Sequence, residues 1–462
     1  FECLSGSIDH RGREVETVQA AAIDRIREKF IAAGIRHVGV VTKFSVRNAA
    51  QEMAIARQLE GHFEKVFLGH RISGNLSFPR RIATTYLNAA VYPIHREFFE
   101  AVNNSLTRKG LKVPIRILKA DGGNMNFEAS IDYPAQTTLS GPAASVMGSI
   151  AFGPEKGDAL VMDIGGTTTD MAILVDQVPL LAPQGIELGG FKTLIRSLET
   201  HSIGIGGDSA VRIENGRIQV GPHRNGPAMA HGGPSPTPTD ALVLLGKARK
   251  GSRDLAARGF APIAEQLGVT IEDAAFQVFD HTCRQILKAA EEMVERINRQ
   301  PVYTIHEMQD GYQVRPTTIL VLGGPAPLFA EHLETLSRYR VGVVPRWTVA
   351  NAIGAALART TCEVNLYADT EQQIATAPEE NFTTRVDRSF DQAQARQMAL
   401  DLLQKKAVAR GANPAHLEME VTEELQFNMV RGFHTTGRNI RIRAQVQPGL
   451  IYGYDPVAGR LM

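Results

Sequence analysis

The stretch that most constrains the fold is VMDIGGTTTD at residues 161–170, a glycine-rich turn between two apolar runs. The apolar run at residues 159–162 and the one at residues 171–175 are short and rich in strand formers, so each predicts a buried strand. Gly165 and Gly166 allow a sharp turn and let an anion approach the backbone N–H groups closely. The pattern therefore predicts a β-hairpin whose tip can hold phosphate groups.

The polar side chains of this stretch favour phosphate binding over the alternative, an ordinary glycine hairpin whose polar residues bind no ligand. Thr167, Thr168 and Thr169 add hydroxyl donors. Asp163 and Asp170 flank the turn, so two carboxylates could reach a hard cation or orient a water molecule. The stretch is not a P-loop, because no lysine follows the glycines and the chain returns into a strand instead of opening a helix.

Composition limits the classes of protein to consider. A chain of 462 residues is too long for one compact core, so we expect two or three domains. The formal net charge of +1 gives no reason to expect binding to nucleic acid or to an anionic membrane. No run of about 18 apolar residues predicts a transmembrane helix. Cys3, Cys283 and Cys362 lie far apart without metal-binding spacing, which favours a reduced, cytoplasmic chain.

Helical and strand patterns alternate upstream of the glycine turn. A helical pattern at residues 16–34 precedes a strand at 37–42, and a helix at 49–59 precedes a strand at 65–68. Such alternation predicts parallel strands covered by helices. Asp121, which follows a strand and precedes two glycines, could line a cleft or simply form a tight turn.

Two more glycine pairs follow the turn. Gly206 and Gly207 imply a second close approach of the backbone, and Asp208 beside them could add a carboxylate to the site or cap a turn. Gly323 and Gly324 follow a buried strand predicted at residues 317–322. A strand that ends in two glycines is weak evidence alone, so its meaning depends on the order of the motifs.

These motifs, in this order, resemble the hydantoinase/5-oxoprolinase family of the actin-like ATPase superfamily, and its hydantoinase A-type subunits in particular. DIGGTTTD at 163–170 is similar to the phosphate loop of actin-like ATPases, while LSGPAASVMG at 139–148 and IGIGGDSAV at 203–211 are similar to motifs of the family. The resemblance covers roughly residues 15–365. It implies an α/β, actin-like (ribonuclease H-like), two-lobed ATPase fold. Residues 1–145 would be the remainder of the first lobe, 146–362 the second lobe, and 363–462 a small α+β appendage.

The resemblance also implies an activity: ATP-dependent hydrolysis of a cyclic amide of the hydantoin or 5-oxoproline type, with Mg²⁺. Asp163 and Asp170 would then be the catalytic residues, and they would bind the metal together with Asp208. The residues implied for nucleotide binding surround the three glycine pairs: Gly165, Gly166, Thr167, Thr168, Thr169, Gly206, Gly207, Gly323 and Gly324.

The chain departs from the resembled family in one respect. Members usually carry an earlier phosphate loop near the N-terminus, and none precedes residue 161 here. That loop could lie in a missing segment or on another polypeptide, or it could have been lost. We therefore expect weak ATP turnover by this chain alone and a second subunit of hydantoinase B type. Two alternatives stay open: a ketone-carboxylase-type subunit, and a nucleotide-binding scaffold that is inactive alone.

Overall fold

The computed structural model describes residues 1–150, 152–154, 156–182, 184–299, 313–454 and 459. Its first part pairs β3 with β4 in parallel, as the alternation of helices and strands predicts. The helix predicted from residue 16 begins later, because residues 14–16 pair with residues 7–8 as a strand. The strands of this part are β1 (Ser7–Ile8), β2 (Glu14–Glu16), β3 (His37–Val40), β4 (Lys65–Leu68), β5 (Arg116–Leu118) and β6 (Asn124–Asn126). The helices are α1 (Ala20–Ala32), α2 (Ala50–Leu59), α3 (Gly69–Ile72), α4 (Phe78–Arg108), α5 (Phe127–Asp132) and α6 (Ser140–Ile150).

A six-stranded mixed sheet organises the next part of the described chain. Its strands run in the order β12-β8-β7-β15-β16, with β9 beside β8; β7 and β8 form the predicted hairpin, and β15 is parallel to β7 and β16. The strands of this part are β7 (Asp158–Ile164), β8 (Thr169–Val175), β9 (Val178–Pro179), β10 (Glu187–Leu188), β11 (Phe191–Lys192), β12 (Thr200–Ile203), β13 (Val211–Glu214), β14 (Arg217–Val220), β15 (Thr318–Leu322) and β16 (Arg340–Val343). The helices are α7 (Pro238–Leu244), α8 (Arg253–Leu267), α9 (Ile271–Arg299), α10 (Ala326–Leu336) and α11 (Ala350–Leu357).

Helices cover both faces of this sheet. Successive side chains of a strand point to opposite faces, so Leu160 and Met162 pack into a core built with α7 to α10. Ala159 and Val161 pack on the other side, against α6 and α11. Because both faces are buried, the strands read as continuous apolar runs in the sequence.

The two small-residue helices, α6 and α11, cross at glycines. A Cβ placed on Gly148 would lie 2.1 Å from the carbonyl oxygen of Ala350, and one on Gly354 would lie 2.3 Å from the amide nitrogen of Gly148. No side chain fits at this crossing. The glycines therefore fix how closely the two helices approach each other on one face of the central sheet.

A separate five-stranded antiparallel sheet follows, in the order β19-β18-β17-β21-β20 within the described residues. Its strands are β17 (Glu363–Asp369), β18 (Ile374–Ala377), β19 (Phe382–Arg385), β20 (Met419–Arg431) and β21 (His434–Val446), and helix α12 (Gln392–Ala409) packs on it. The sequence predicts an α+β appendage here but singles out neither β18 nor β20 as a strand. The division at residue 363 stays a proposal.

Candidate functional site

The glycine turn is a β-hairpin, as predicted. Strands β7 and β8 pair with Ile164 opposite Thr169. The Gly165 N–H donates to the carbonyl oxygen of Thr168 at 2.9 Å, which closes the turn. Residues 165–168 at the tip are half-buried, so the tip remains accessible to a ligand.

Two carboxylates face each other at the base of this hairpin. Asp163 lies directly opposite Asp170 in the strand register, which places both side chains on one face as cross-strand neighbours. The Ser145 hydroxyl of α6 donates to Asp163 Oδ2 at 2.5 Å. Burial raises the pKa of Asp163 above its usual value; the Ser145 hydrogen bond opposes this rise and the charge of Asp170 adds to it. Paired like charges of this kind suit a cation-binding position.

The second glycine pair holds the hairpin from one side. Gly207 donates its N–H to the Gly165 carbonyl oxygen at 2.9 Å, and Asp208 donates its N–H to that of Gly166 at 2.7 Å. A Cβ on Gly206 would lie 2.6 Å from the Gly165 oxygen and 2.8 Å from the Thr167 nitrogen. The close backbone approach that the sequence predicts is therefore made against the hairpin itself.

The third glycine pair lies on the other side. Strand β15 runs parallel to β7, with Leu322 opposite Asp163. Gly323 follows in the left-handed region at φ +95°, where a Cβ would lie 2.3 Å from the Ile164 oxygen and 2.5 Å from Asp163 Oδ1. A Cβ on Gly324, by contrast, would meet no atom within 4 Å among the described residues. All three glycine pairs thus converge on the hairpin, with open space beside Gly324.

Two of the predicted ligand side chains are engaged elsewhere. The Thr169 hydroxyl is buried and donates to the carbonyl oxygen of Ile205 at 2.7 Å, so it fixes the second glycine loop instead of facing a ligand. The Asp208 carboxylate pairs with Arg224 at 2.8 Å. In the described part of the chain, no three or more His, Cys, Asp and Glu side chains form a metal-binding group. Asp163, Asp170 and Asp208 therefore do not form one cluster, and only the first two face each other.

Arg224 and Ser145 are site residues that the sequence analysis misses. Arg224 donates to the Thr167 hydroxyl at 3.2 Å and so places a positive charge at the hairpin tip. It comes from a loop rich in glycine and proline, where no periodic pattern marks it. Ser145 lies in the small-residue stretch at 139–148, which indicates close helix packing and gives no sign of a contact with Asp163.

Asp121 forms the tight turn, and its carboxylate is held by neighbouring groups of the protein. It is 1% exposed and accepts hydrogen bonds from the Gly123 N–H at 3.0 Å and the Thr361 hydroxyl at 2.8 Å, with Lys119 Nζ at 3.0 Å. Burial alone would raise the pKa of Asp121, but the charges of Lys119 and Arg196 and these hydrogen bonds lower it to about 2. Its carboxylate is therefore committed within the protein.

No helix in the described residues is both long and apolar enough to cross a membrane. Solved structures of two enzymes share the fold. An ATP-dependent caprolactamase from Pseudomonas jessenii aligns with a TM-score of 0.70 at 18% identity, and a nucleotide-free acetone carboxylase with a TM-score of 0.67 at 16% identity. The alignments cover 97% and 98% of this chain and 70% of each of those chains. They confirm the predicted fold class.

Sequence comparison identifies the family. The caprolactamase α subunit of Pseudomonas jessenii is 23% identical over 363 residues, which cover 74% of this chain and 50% of that subunit. The chain spans about half the length of the curated relatives it matches. Residues 81–364, more than half of the chain, match the sequence model described as hydantoinase/oxoprolinase. The chain therefore belongs to the hydantoinase/oxoprolinase family.

Proposed function

We propose that this chain is the ATP-binding subunit of an ATP-dependent enzyme that hydrolyses a cyclic amide. The observation that carries the proposal is the convergence of three glycine pairs on a hairpin with two facing carboxylates, Asp163 and Asp170. An isolated glycine turn would need neither the second backbone loop nor the paired acids. The relative named as an ATP-dependent caprolactamase, which shares the fold, supports ATP use and an amide substrate.

The residues present fit Mg²⁺ and a nucleotide. At Gly206 and Gly323 the backbone of the hairpin leaves no room for a Cβ atom. At Gly324 a Cβ atom would meet no neighbour among the described residues, so there is open space beside the hairpin. The N–H groups of the hairpin tip, with the Thr167 and Thr168 hydroxyls, would hold phosphates, and Gly324 would border the adenosine. Asp163 and Asp170 would hold Mg²⁺, which usually takes one or two carboxylates together with waters and phosphates.

Bound Mg²⁺·ATP would supply a phosphoryl group for the otherwise inert amide oxygen, which makes the amide carbon a better electrophile for water. The chain contributes position and charge. The hairpin fixes its N–H donors in place, and Arg224, half-exposed beside Thr167, adds a cation where negative charge gathers. Ser145 orients Asp163 through Oδ2, so the other oxygen of this carboxylate faces Gly323 and the hairpin base.

A ketone-carboxylase-type subunit remains the second candidate, because the acetone carboxylase structure shares the fold equally well. A scaffold subunit that binds nucleotide without turnover is the third. The three differ in what stimulates phosphate release from ATP. A cyclic amide such as hydantoin or caprolactam should stimulate the first, and acetone with bicarbonate the second. Neither should stimulate the third, even with a partner subunit present.

The test is Mg²⁺·ATP titration by calorimetry. Asp163→Ala should weaken binding at least tenfold, whereas Asp254→Ala, an exposed carboxylate in the first turn of α8, should not change it. Equal binding by the wild-type and Asp163→Ala proteins would remove this hairpin from the nucleotide site. Phosphate release by the chain alone should stay well below about 1 s⁻¹, the low end for kinases. Faster release would show that no partner is needed.

A further inference from the structure

A second cluster of charged side chains lies away from the glycine hairpin, where the first part of the chain, the loop before β12 and the C-terminal sheet meet. It surrounds a cavity of about 40 Å³. Five basic and three acidic side chains line this cavity in the described residues. Those that matter here are Lys119, Asp121, Arg196, Glu379, Lys406 and Arg410.

The two lysines of the cluster lie beside carboxylates. Lys119 pairs with Asp121 at 3.0 Å and donates to the Thr361 carbonyl oxygen. Lys406 pairs with Glu380 and lies 3.8 Å from Glu379. The lysine charges are therefore balanced by neighbouring carboxylates, and the other basic groups of interest are the arginines.

The Arg196 guanidinium has no hydrogen-bond acceptor in the described part of the chain. Its Nε, Nη1 and Nη2 atoms are all buried, and none has a hydrogen-bond partner among the described residues. Asp121 Oδ2 comes within 3.6 Å of Nε, too far for a hydrogen bond, and already accepts from Lys119 and Thr361. The side chain is 15% exposed, so bulk water reaches little of it.

Arg410 comes from the C-terminal part of the chain and lines the same cavity. It is 7% exposed, and its guanidinium stacks over the Tyr133 ring at 4.8 Å. Within the described ranges, no carboxylate forms an ion pair with it. The cavity thus brings together two guanidinium groups that are largely shielded from water, and the donors of Arg196 have no hydrogen-bond acceptor among the described residues.

A buried guanidinium without acceptors is costly, because desolvation removes hydrogen bonds to water that nothing replaces. Its planar fork of donors matches the two oxygens of a carboxylate or phosphate. At roughly 10–15 Å³ per water position, the cavity has room for about three waters or one small oxyanion group. We infer that this cavity binds a small oxyanion, either the carboxylate of an organic acid or a phosphate.

The cavity is distinct from the glycine hairpin. Gly122, beside Asp121, faces Met147 of α6, and the same helix carries Ser145, which contacts Asp163. Helix α6 therefore lies between the two sites. Anion binding in the cavity does not depend on nucleotide binding at the hairpin, so either could fail without the other.

The experiment measures thermal unfolding and calorimetric binding of the full chain with sodium acetate, sodium succinate and sodium phosphate. Sodium chloride at equal ionic strength is the reference. At least one oxyanion should raise the melting temperature above the chloride value, because a ligand of the folded state stabilises it. Acetate or succinate as the active anion identifies a carboxylate ligand, and phosphate alone identifies a phosphate ligand.

Arg196→Gln should weaken that binding at least tenfold, and Arg196→Lys should weaken it less, since it keeps the charge but loses the fork. Arg217→Gln, on the exposed surface of β14, is the matched control and should bind like the wild-type protein. If Arg196→Gln does not fold, oxyanion binding is measured on Arg196→Lys instead. The Mg²⁺·ATP binding of Arg196→Lys then reports whether this variant is folded. No stabilisation beyond chloride, or oxyanion binding that is undiminished in the Arg196 variants that fold, would overturn the inference.

Discussion

Replacing Gly206 with alanine should separate the second glycine loop from the hairpin. The new Cβ would lie 2.6 Å from the Gly165 oxygen and 2.8 Å from two further backbone atoms of the hairpin. These are main-chain atoms, so no flexible side chain can move aside. To reach an ordinary contact of 3.4 Å, the two segments must move apart from 2.6 Å, that is by 0.8 Å.

The size of the effect follows from what this shift disturbs. Overpacking a closed contact costs about 1–3 kcal/mol. The shift also strains the two hydrogen bonds from Gly207 and Asp208 to the hairpin, each contributing about 0.5–1.5 kcal/mol. We expect the free energy of unfolding to fall by about 1–3 kcal/mol. If the hairpin moves by the same amount, Mg²⁺·ATP binding should weaken by roughly 5- to 150-fold, at about 1.4 kcal/mol per factor of ten.

Urea denaturation and calorimetry with Mg²⁺·ATP measure the two effects. Gly141→Ala is the neutral control, because this exposed position at the start of α6 has no atom within 4 Å of the new Cβ in the described structure. Gly324→Ala should keep the stability but weaken nucleotide binding, since its Cβ points into the open space beside the hairpin. Wild-type stability and affinity in Gly206→Ala would refute the geometric argument.

Two other predictions follow from the structure. The raised pKa of Asp163 means that folding favours its protonated form, so its contribution to stability is present at low pH and lost as the pH rises through the raised pKa. Asp163→Asn should therefore raise the melting temperature at pH 7 and above, with the gain vanishing below about pH 4, near the unfolded pKa of Asp; a gain independent of pH would contradict this. Residues 363–462 contain their own sheet and core, so this fragment should melt cooperatively alone, and a gradual melt by circular dichroism would argue against the boundary.

The sequence predicts the elements whose signal is local. The hairpin at 161–175 forms because apolar runs flank two glycines. Asn215 and Gly216, an Asn-Gly pair between two short strand patterns, likewise predict a hairpin turn, and both residues adopt positive φ, as a type I′ turn requires. Residues 271–299 carry an apolar stripe that repeats at helical spacing over many turns, which predicts a helix, and helix α9 has these bounds. In each case the pattern and the final environment of the side chains agree.

The elements that depend on distant partners were not predictable. Strand β20 reads MEVTEELQFNMVR, in which Glu423 and Glu424 interrupt the alternation of apolar and polar residues. Pairing with β21 along its whole length completes the strand. The Thr169 hydroxyl points at Ile205 because β8 pairs with β12, a register that no local pattern fixes. Arg196 and Arg224 come from loops, where charged residues are ordinarily solvent-exposed and no periodicity marks an exception.

The net charge of +1 conceals the property that the two sites share. At the hairpin, Asp163 and Asp170 face each other with one hydroxyl donor on the first of them. In the cavity, the donor atoms of the Arg196 guanidinium are buried without hydrogen-bond acceptors among the described residues, and Asp121 Oδ2 lies 3.6 Å from its Nε. Each site thus holds charged groups whose interactions the surrounding protein satisfies only in part, and such groups favour a ligand of the opposite sign. A cation suits the first site and an oxyanion the second. The net charge sums acidic and basic residues to nearly zero. Only the fold, which places each charged residue among its neighbours, can therefore distinguish the two sites.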